Sequence, residues 1–291
     1  MMGGYKIFTD ATADLTDELK EGLPEIITIP MYVTVGNKEY TYGDATGITP
    51  TEFYQMQRNG KFATTSQITP ATYFEHFEPY LEKGIDIFYL CFSSAMSGTF
   101  VSAQMAAIEL QEEYPERKII CIDTLGAAGG EGFLVREAAK MQAAGLTISQ
   151  LETWVIEHRE KVCHWFTVDT FTHLKHGGRV SAATAAMGTV LSIKPLLHVD
   201  HQGKLEAIEK PRGRKKALMA LVARMEKGWL PELGKTVMIS QADDKDSAIA
   251  LKEAIQEKFP SAEILISDLG PIIGAHTGPN ALTLFYWGSN R

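Results

Sequence analysis

The chain has 291 residues, of which 45% are hydrophobic and 22% charged, and its formal net charge is -8. This composition is typical of a globular protein of about two domains, and the negative charge disfavours nucleic acid as a partner. The first residues lack the basic flank and apolar stretch of a signal peptide, no apolar run is long enough to span a bilayer, and three cysteines argue against a disulfide framework. A soluble, cytoplasmic protein is therefore expected.

The first half of the chain alternates strand-like and helical segments. Apolar runs predict strands at 5–11, 86–92 and 118–123. Each is followed by a helical pattern, including one over 99–114, and this alternation predicts a parallel sheet with helical crossovers. An inserted segment predicts a hairpin of strands 25–35 and 38–42 that turns at Gly36-Asn37.

After about residue 160 the pattern changes. Residues 194–209 predict two antiparallel strands joined through 201–203. Further strands are predicted at 161–170, 235–242, 263–269 and 282–287, with helices at 212–227 and 246–259. The sequence thus predicts an α/β protein of two domains: an N-terminal Rossmann-like domain with a parallel sheet at 1–160, and a C-terminal α/β domain with a mixed or antiparallel sheet at 161–291.

The segment between the predicted strand at 86–92 and the next helix is rich in hydroxyl groups. Within seven residues it holds four hydroxyls and a glycine: Ser93, Ser94, Ser97, Gly98 and Thr99. Free backbone amides at a helix start bind anions, and small residues allow a close approach. Helix capping explains one or two of these residues, so anion binding is the favoured interpretation.

Other candidate anion ligands are weaker when each is taken alone. Thr65 and Ser66 belong to a hydroxyl cluster that a turn with a helix cap also explains. Asp10 lies near the carboxyl end of the first strand, where open α/β sheets bind ligands, but it is equally well explained as a structural cap. Arg179 follows two glycines whose backbone angles could orient its side chain towards a planar anion. An ordinary surface arginine after a helix is an equally good interpretation.

The loop predicted at 270–279 contains His276 between two Gly-Pro pairs. This histidine could hydrogen-bond a carboxylate or phosphate, although lone histidines usually have structural roles. The chain contains no phosphate-binding loop, complete dinucleotide fingerprint, nucleophile elbow or dense metal-binding motif. It therefore has groups for holding an anion and few for making or breaking bonds.

A basic segment lies at 210–216 in this acidic chain. Five of its seven residues are basic: Lys210, Arg212, Arg214, Lys215 and Lys216. Cations oppose the dipole at a helix start, so docking to an acidic partner or an anionic lipid is favoured slightly over a solvated helix start.

Together these motifs resemble the DegV family, the fatty-acid-binding subunits of bacterial fatty acid kinase. The resemblance spans essentially the whole chain, and its motifs occur in one order: FTDATADL from Phe8, TSQ at 65–67, SxxxSGT ending at Thr99, GGR at 177–179, RxRKKAL at 212–218 and GPxxGxHxGP at 270–279. Two departures from the family pattern concern loop shape more than chemistry: Ile68 stands where the family usually has proline, and Asn280 where it often has glycine.

The resemblance implies one long-chain fatty acid held between the two domains, with its tail buried in the second. It places the carboxylate on Thr65, Ser97 and His276, with Arg179 nearby. Ser66, Ser94, Gly98, Thr99 and Asp10 are candidates for supporting positions. The small residues at 182–188 could leave room for the tail, and no cofactor or metal is expected.

The resemblance also implies a partner, a separate ATP-dependent kinase that phosphorylates the carboxylate to an acyl phosphate for phospholipid synthesis. Docking is assigned to Arg212, Arg214, Lys215 and Lys216, with transient contact to a membrane surface as a further expectation. Two alternatives stay open. One is an acyl hydrolase or transferase that uses Ser97 as nucleophile and His276 as base, although no acidic partner for the histidine is evident. The other is a regulator that responds to bound lipid.

Overall fold

The structure of the protein, a computed structural model, describes residues 4–180, 192–289 and 291. The strands are β1 (Tyr5–Asp10), β2 (Ile26–Ile29), β3 (Met31–Val35), β4 (Lys38–Tyr42), β5 (Ala63–Thr65), β6 (Asp86–Cys91), β7 (Ile119–Asp123), β8 (Val162–Thr167), β9 (Leu196–Val199), β10 (Leu205–Glu209), β11 (Thr236–Gln241), β12 (Glu263–Asp268) and β13 (Leu282–Trp287). The helices are α1 (Asp17–Lys20), α2 (Pro50–Arg58), α3 (Pro70–Leu81), α4 (Thr99–Glu113), α5 (Gly129–Ala143), α6 (Ile148–His158), α7 (Thr172–His176), α8 (Arg214–Gly228), α9 (Lys245–Lys258) and α10 (Pro271–Thr277).

The parallel sheet predicted for the first half of the chain is confirmed. Its strand order is β2-β1-β6-β7, and all of its neighbours run parallel. Ile7, Phe8 and Phe88 are fully buried in the two central strands, as expected for a sheet covered on both faces. Because the strands are parallel, the segments that follow β1 and β6 meet at one edge of the sheet.

Residues 25–35, predicted as one strand, instead form two strands in different sheets. Pro30 separates β2 from β3 because proline has no N–H to donate to a strand ladder. β3 pairs antiparallel with β4 and β5, so the hairpin predicted at Gly36-Asn37 is confirmed for β3 and β4. Thr65 ends β5, and Thr69 caps α3 through the N–H of Thr72.

The second half forms the predicted mixed sheet. Its order is β10-β9-β8-β13-β11-β12, in which only β11 and β12 are parallel among the described strands. β9 and β10 form the expected antiparallel pair, joined through a turn in which Gly203 has a φ of +75°. A domain boundary at residue 160 falls between the last strand of the parallel sheet and the first strand of the mixed sheet, and it remains a prediction.

Residues 270–279 are not the loop that the sequence predicts, because most of them form α10. Pro271 occupies the first turn, where its missing N–H costs nothing, and Gly278 ends the helix with a φ of +77°. Asn280 follows with a φ of +62°. Glycine adopts this left-handed conformation freely, and asparagine tolerates it better than most residues, so the departure from the family pattern preserves the backbone turn.

Two helices join the halves of the molecule. α5 packs against β8, β11 and β13 of the mixed sheet and also against the short 3-10 helix at Ala11–Ala13 that follows β1. α10 comes from the end of the chain, yet it packs against β3, β5 and α2. Residues of both halves therefore share one hydrophobic core, and a space enclosed between them is lined from both sides.

Candidate functional site

A cavity of about 220 Å³ lies between the elements of the two halves. Most of its lining is apolar, with Met31, Phe92, Phe166, Val199, Leu205, Ile272 and Phe285 among its walls. Polar side chains also line it, those of Thr65, Ser66, Gln67, Ser97, Arg179 and His276, together with Gly98. The structure thus brings together the four predicted carboxylate ligands, which come from four separate segments of the chain.

The side chains of Thr65 and His276 are hydrogen-bonded, with 2.8 Å between Oγ1 and Nε2. Burial, the positive charge of Arg179 and the neighbouring His176 lower the pKa of His276 to about 4, so its ring is neutral near pH 7. The Nδ1 atom is buried and has no hydrogen-bond partner among the described residues, and it faces Gly177, where a Cβ atom would collide with it. Glycine at this position of the GGR motif therefore makes room for the histidine.

Ser97 lies in the turn that leads from β6 into α4. Its hydroxyl oxygen accepts the backbone N–H of Thr99 at 3.2 Å and lies 2.8 Å from the Thr99 hydroxyl. Gly98 packs so closely against Gln67 that a Cβ atom would collide with the amide. The amide of Gln67 also donates to Ser102 of α4 at 3.3 Å. The TSQ and SGT motifs are therefore in direct contact.

Arg179 joins this group from the mixed-sheet side. It follows α7, and Gly178 takes a φ of +70° that turns the backbone towards the SGT segment. The Arg179 guanidinium donates from Nε to the carbonyl oxygen of Met96 at 3.3 Å and from Nη1 to that of Gly177. These contacts place the cation beside the loop that carries Ser97.

The predicted supporting residues divide into two groups. Ser66 and Gly98 line the cavity, whereas Thr99 is fully buried behind it. Ser94 is exposed and does not line the cavity; its backbone N–H donates to the carboxylate of Asp123 at 3.3 Å. Ser94 is thus placed as a loop residue outside the cavity.

Asp10 does not line the cavity either, because it is buried behind Thr12, which does. The Asp10 carboxylate accepts from the Thr12 and Phe92 backbone and from the Tyr89 hydroxyl. The Thr12 hydroxyl contacts both Asp10 and Glu131, at 2.7 Å from Glu131 Oε2. One hydroxyl has one proton to donate, so one of the two carboxyls must itself carry a proton.

Glu131 is the better candidate for that protonated carboxyl. Burial raises its pKa well above the usual range, and the nearby charge of Asp10 raises it further. Asp10 has a raised pKa too, but more donors favour its charged form. Sequence reasoning missed Glu131; the one signal was an acidic residue within the small, apolar start of α5.

The residues assigned to docking differ in exposure. Arg212, Lys215 and Lys216 are exposed. Arg214 is half-buried and pairs with Asp244 at 2.6 Å, which joins α8 to the start of α9. The small residues at 182–188, expected to make room for an acyl tail, lie outside the described residues.

Two kinds of feature are absent from the part of the chain that the structure describes. Within residues 4–180, 192–289 and 291, no cluster of histidine, cysteine and carboxylate groups could hold a metal ion. Within the same ranges, no helix has the length and apolar character needed to cross a membrane.

Comparison with known proteins identifies the family. The sequence profile described as the DegV family of uncharacterised proteins matches residues 5–288. The chain belongs to the DegV family. A DegV domain-containing protein of Clostridium perfringens is 41% identical over 290 residues, which cover 100% of this chain and 99% of that protein.

Solved structures of DegV proteins have the same fold. A DegV family protein of Thermus thermophilus, whose structure concerns fatty acid binding, has a TM-score of 0.86 and 30% identity, and the match covers 98% of this chain and 100% of that one. The fatty acid kinase B3 protein of Streptococcus pneumoniae, loaded with linoleic acid, has a TM-score of 0.86 at 23% identity, with the same coverage of 98% and 100%. The second likeness concerns the fold alone, and the predicted α/β class is confirmed.

Proposed function

We propose that the protein binds one long-chain fatty acid and presents its carboxylate to a separate ATP-dependent kinase. The observation that carries this proposal is the cavity, which combines apolar walls with a contiguous group of hydroxyl, imidazole and guanidinium side chains. Fatty acid binding by the T. thermophilus family member supports the choice of ligand. The fold shared with the pneumococcal fatty acid kinase B3 protein fits this role.

Two of the proposed ligands are hydroxyls, and each is held by a second group. When His276 donates from Nε2 to the Thr65 oxygen, the Thr65 proton is free to donate to a carboxylate. When the Thr99 hydroxyl donates to Ser97, the Ser97 proton is free in the same way. Two hydroxyl donors and the Arg179 cation would then satisfy a carboxylate, which cannot be buried without partners.

The acyl tail supplies most of the binding free energy in this scheme. Burial stabilises each methylene by about 0.8 kcal/mol, so a chain of some sixteen carbons gains on the order of 10 kcal/mol before the costs of association. The polar group then serves mainly to fix the position of the carboxylate. A carboxylate oxygen held there attacks the terminal phosphorus of ATP on the kinase, and the bond from phosphorus to ADP breaks.

The exposed cations Arg212 and Lys215 remain the proposed docking residues for the kinase, together with Lys216. Cys91 and Cys121 are free thiols, which fits the cytoplasm, where thiols are kept reduced. We therefore also propose a cytoplasmic location.

The contacts do not favour the hydrolase hypothesis. His276 is hydrogen-bonded through Nε2 to Thr65, and Ser97 is paired with Thr99. A nucleophilic serine needs a base within hydrogen-bond reach, and that base needs a group to orient it. No residue in the described part of the chain is hydrogen-bonded to the His276 Nδ1 atom. A lipid-responsive regulator would need the same cavity, so the regulator and carrier hypotheses predict the same binding site.

Mass spectrometry of the organic extract from protein purified without detergent tests the proposal. We expect one fatty acid per chain in the wild type and a weaker hold in Thr65→Val. Loss of one hydrogen bond to a charged group lowers affinity by about tenfold to a hundredfold. Ser94→Ala is the matched control, because that hydroxyl lies outside the cavity. An empty protein that also fails to take up added palmitate would disprove the proposal.

A further inference from the structure

A second depression adjoins the acyl cavity on the outer surface. Its volume is about 470 Å³, and Met96, Arg179 and Leu205 line both spaces. The depression is also lined by Lys204, which follows the turn between β9 and β10. The polar group of the cavity, which forms its mouth, and this depression therefore have Arg179 as a shared lining residue.

The charged residues that line the depression, Arg179 and Lys204, are both cations. Arg179 uses two of its five N–H groups on the carbonyl oxygens of Met96 and Gly177, and the described residues offer no partner to the other three. Lys204 Nζ donates to the side chain of Gln202 at 3.0 Å, and no other described residue accepts from its two remaining N–H groups.

The neighbouring carboxylate does not neutralise Lys204. Asp200 accepts from the backbone N–H groups of Gln202 and Lys204, at 2.8 Å and 2.9 Å, and so holds the turn. Its carboxylate forms no ion pair with the Lys204 ammonium, which is bonded to Gln202. Two exposed cations thus line one concave surface on a chain whose net charge is -8.

We propose that Lys204 supplies a second cation beside Arg179 and contacts the phosphate of an acyl phosphate. This inference rests on the proposed function, because it concerns the product of the phosphorylation. Phosphorylation replaces a carboxylate of one negative charge by a group of nearly two, with more acceptor oxygens. The single positive charge of Arg179 balances that of the fatty acid carboxylate, whereas the more highly charged product requires a second cation. Lys204 lies just outside the mouth and supplies it.

The subsite can be tested without the kinase. The probes are palmitate and the ketophosphonate isostere of palmitoyl phosphate, in which a methylene replaces the labile oxygen. Their affinities are measured by displacement of a fluorescent fatty acid from delipidated protein. We expect Lys204→Ala to weaken ketophosphonate binding about five- to tenfold, with palmitate changed by less than about twofold. The difference between the two losses of affinity should be smaller in concentrated salt, because the site is exposed and salt screens its charges.

Lys235→Ala is the matched control, since Lys235 is exposed and lines neither space. Equal losses for both ligands, or no loss for the ketophosphonate, would overturn the subsite while leaving fatty acid binding intact. Failure of the wild type to bind palmitate would instead overturn the proposed function itself. Vesicles of phosphatidylglycerol are the third probe. If Lys204→Ala weakened only vesicle binding, the phosphate recognised would be that of a lipid headgroup, and the acyl phosphate assignment would be wrong.

Discussion

Replacement of Glu131 by glutamine should stabilise the protein at neutral and alkaline pH. The Glu131 carboxyl is fully buried and contacts the hydroxyls of Thr9 and Thr12, and burial raises its pKa well above the ordinary value of 4.5. Above that ordinary value the unfolded chain loses this proton while the folded chain retains it. The contribution of Glu131 to the free energy of unfolding therefore falls by about 1.4 kcal/mol for each pH unit until Glu131 itself ionises.

Glutamine carries no such proton, and its amide can donate to Thr12 and accept from Thr9 in the same geometry. Urea unfolding of delipidated protein, followed by circular dichroism from about pH 5 to pH 8, measures the effect. We expect the stability advantage of Glu131→Gln over the wild type to grow with pH. Glu112→Gln, at an exposed position, should show no such trend. A variant that is destabilised equally at every pH would refute the protonated state of Glu131.

The remaining predictions concern the mouth, a junction between the halves and the docking surface. Because His276 has a pKa of about 4, palmitate affinity should stay constant between about pH 6 and pH 8; a tenfold fall over that range would show that the imidazolium binds the ligand. Asn280→Gly should cost about 1 to 2 kcal/mol in thermal or urea unfolding, since it keeps the backbone turn but removes the side-chain bonds to Arg58 and Asp169, at 2.7 Å and 2.8 Å. Arg212→Glu combined with Lys215→Glu should slow acyl phosphate formation in a reconstituted kinase assay while palmitate binding is unchanged; an unaltered rate would remove the docking role.

The elements of the fold were largely predictable, but which face each presents was not. The spacing of Val101, Met105 and Ile108 indicates a helix, and α4 is present, yet these three side chains are 51% to 63% exposed. Its buried face consists of smaller residues, such as Ala103 and Ala106. Periodicity identifies a helix from either face, whereas burial depends on which face meets the neighbouring strands.

The site was predictable in part, for a topological reason. Segments that follow parallel strands meet at one edge of the sheet, so residues around Ser97 could be assigned to a binding edge from local sequence. The hydrogen bond between Thr65 and His276 joins positions 211 residues apart, and no local pattern predicts it. The Glu131 network was missed because a single acidic residue in an apolar run does not indicate which distant residues will surround it in the fold.

The neutrality of His276 connects the binding of the fatty acid carboxylate with its proposed phosphorylation. A histidinium beside Arg179 would hold the fatty acid carboxylate with two cations and make it a poorer nucleophile, because its charge would be more strongly stabilised. Neutral imidazole leaves Arg179 as the only charged residue that lines the acyl cavity among the described residues. The carboxylate is then positioned by hydroxyl donors that His276 and Thr99 orient, and it retains its reactivity. The additional charge appears only after phosphoryl transfer, which is why a second cation belongs outside the mouth at Lys204 and not within it.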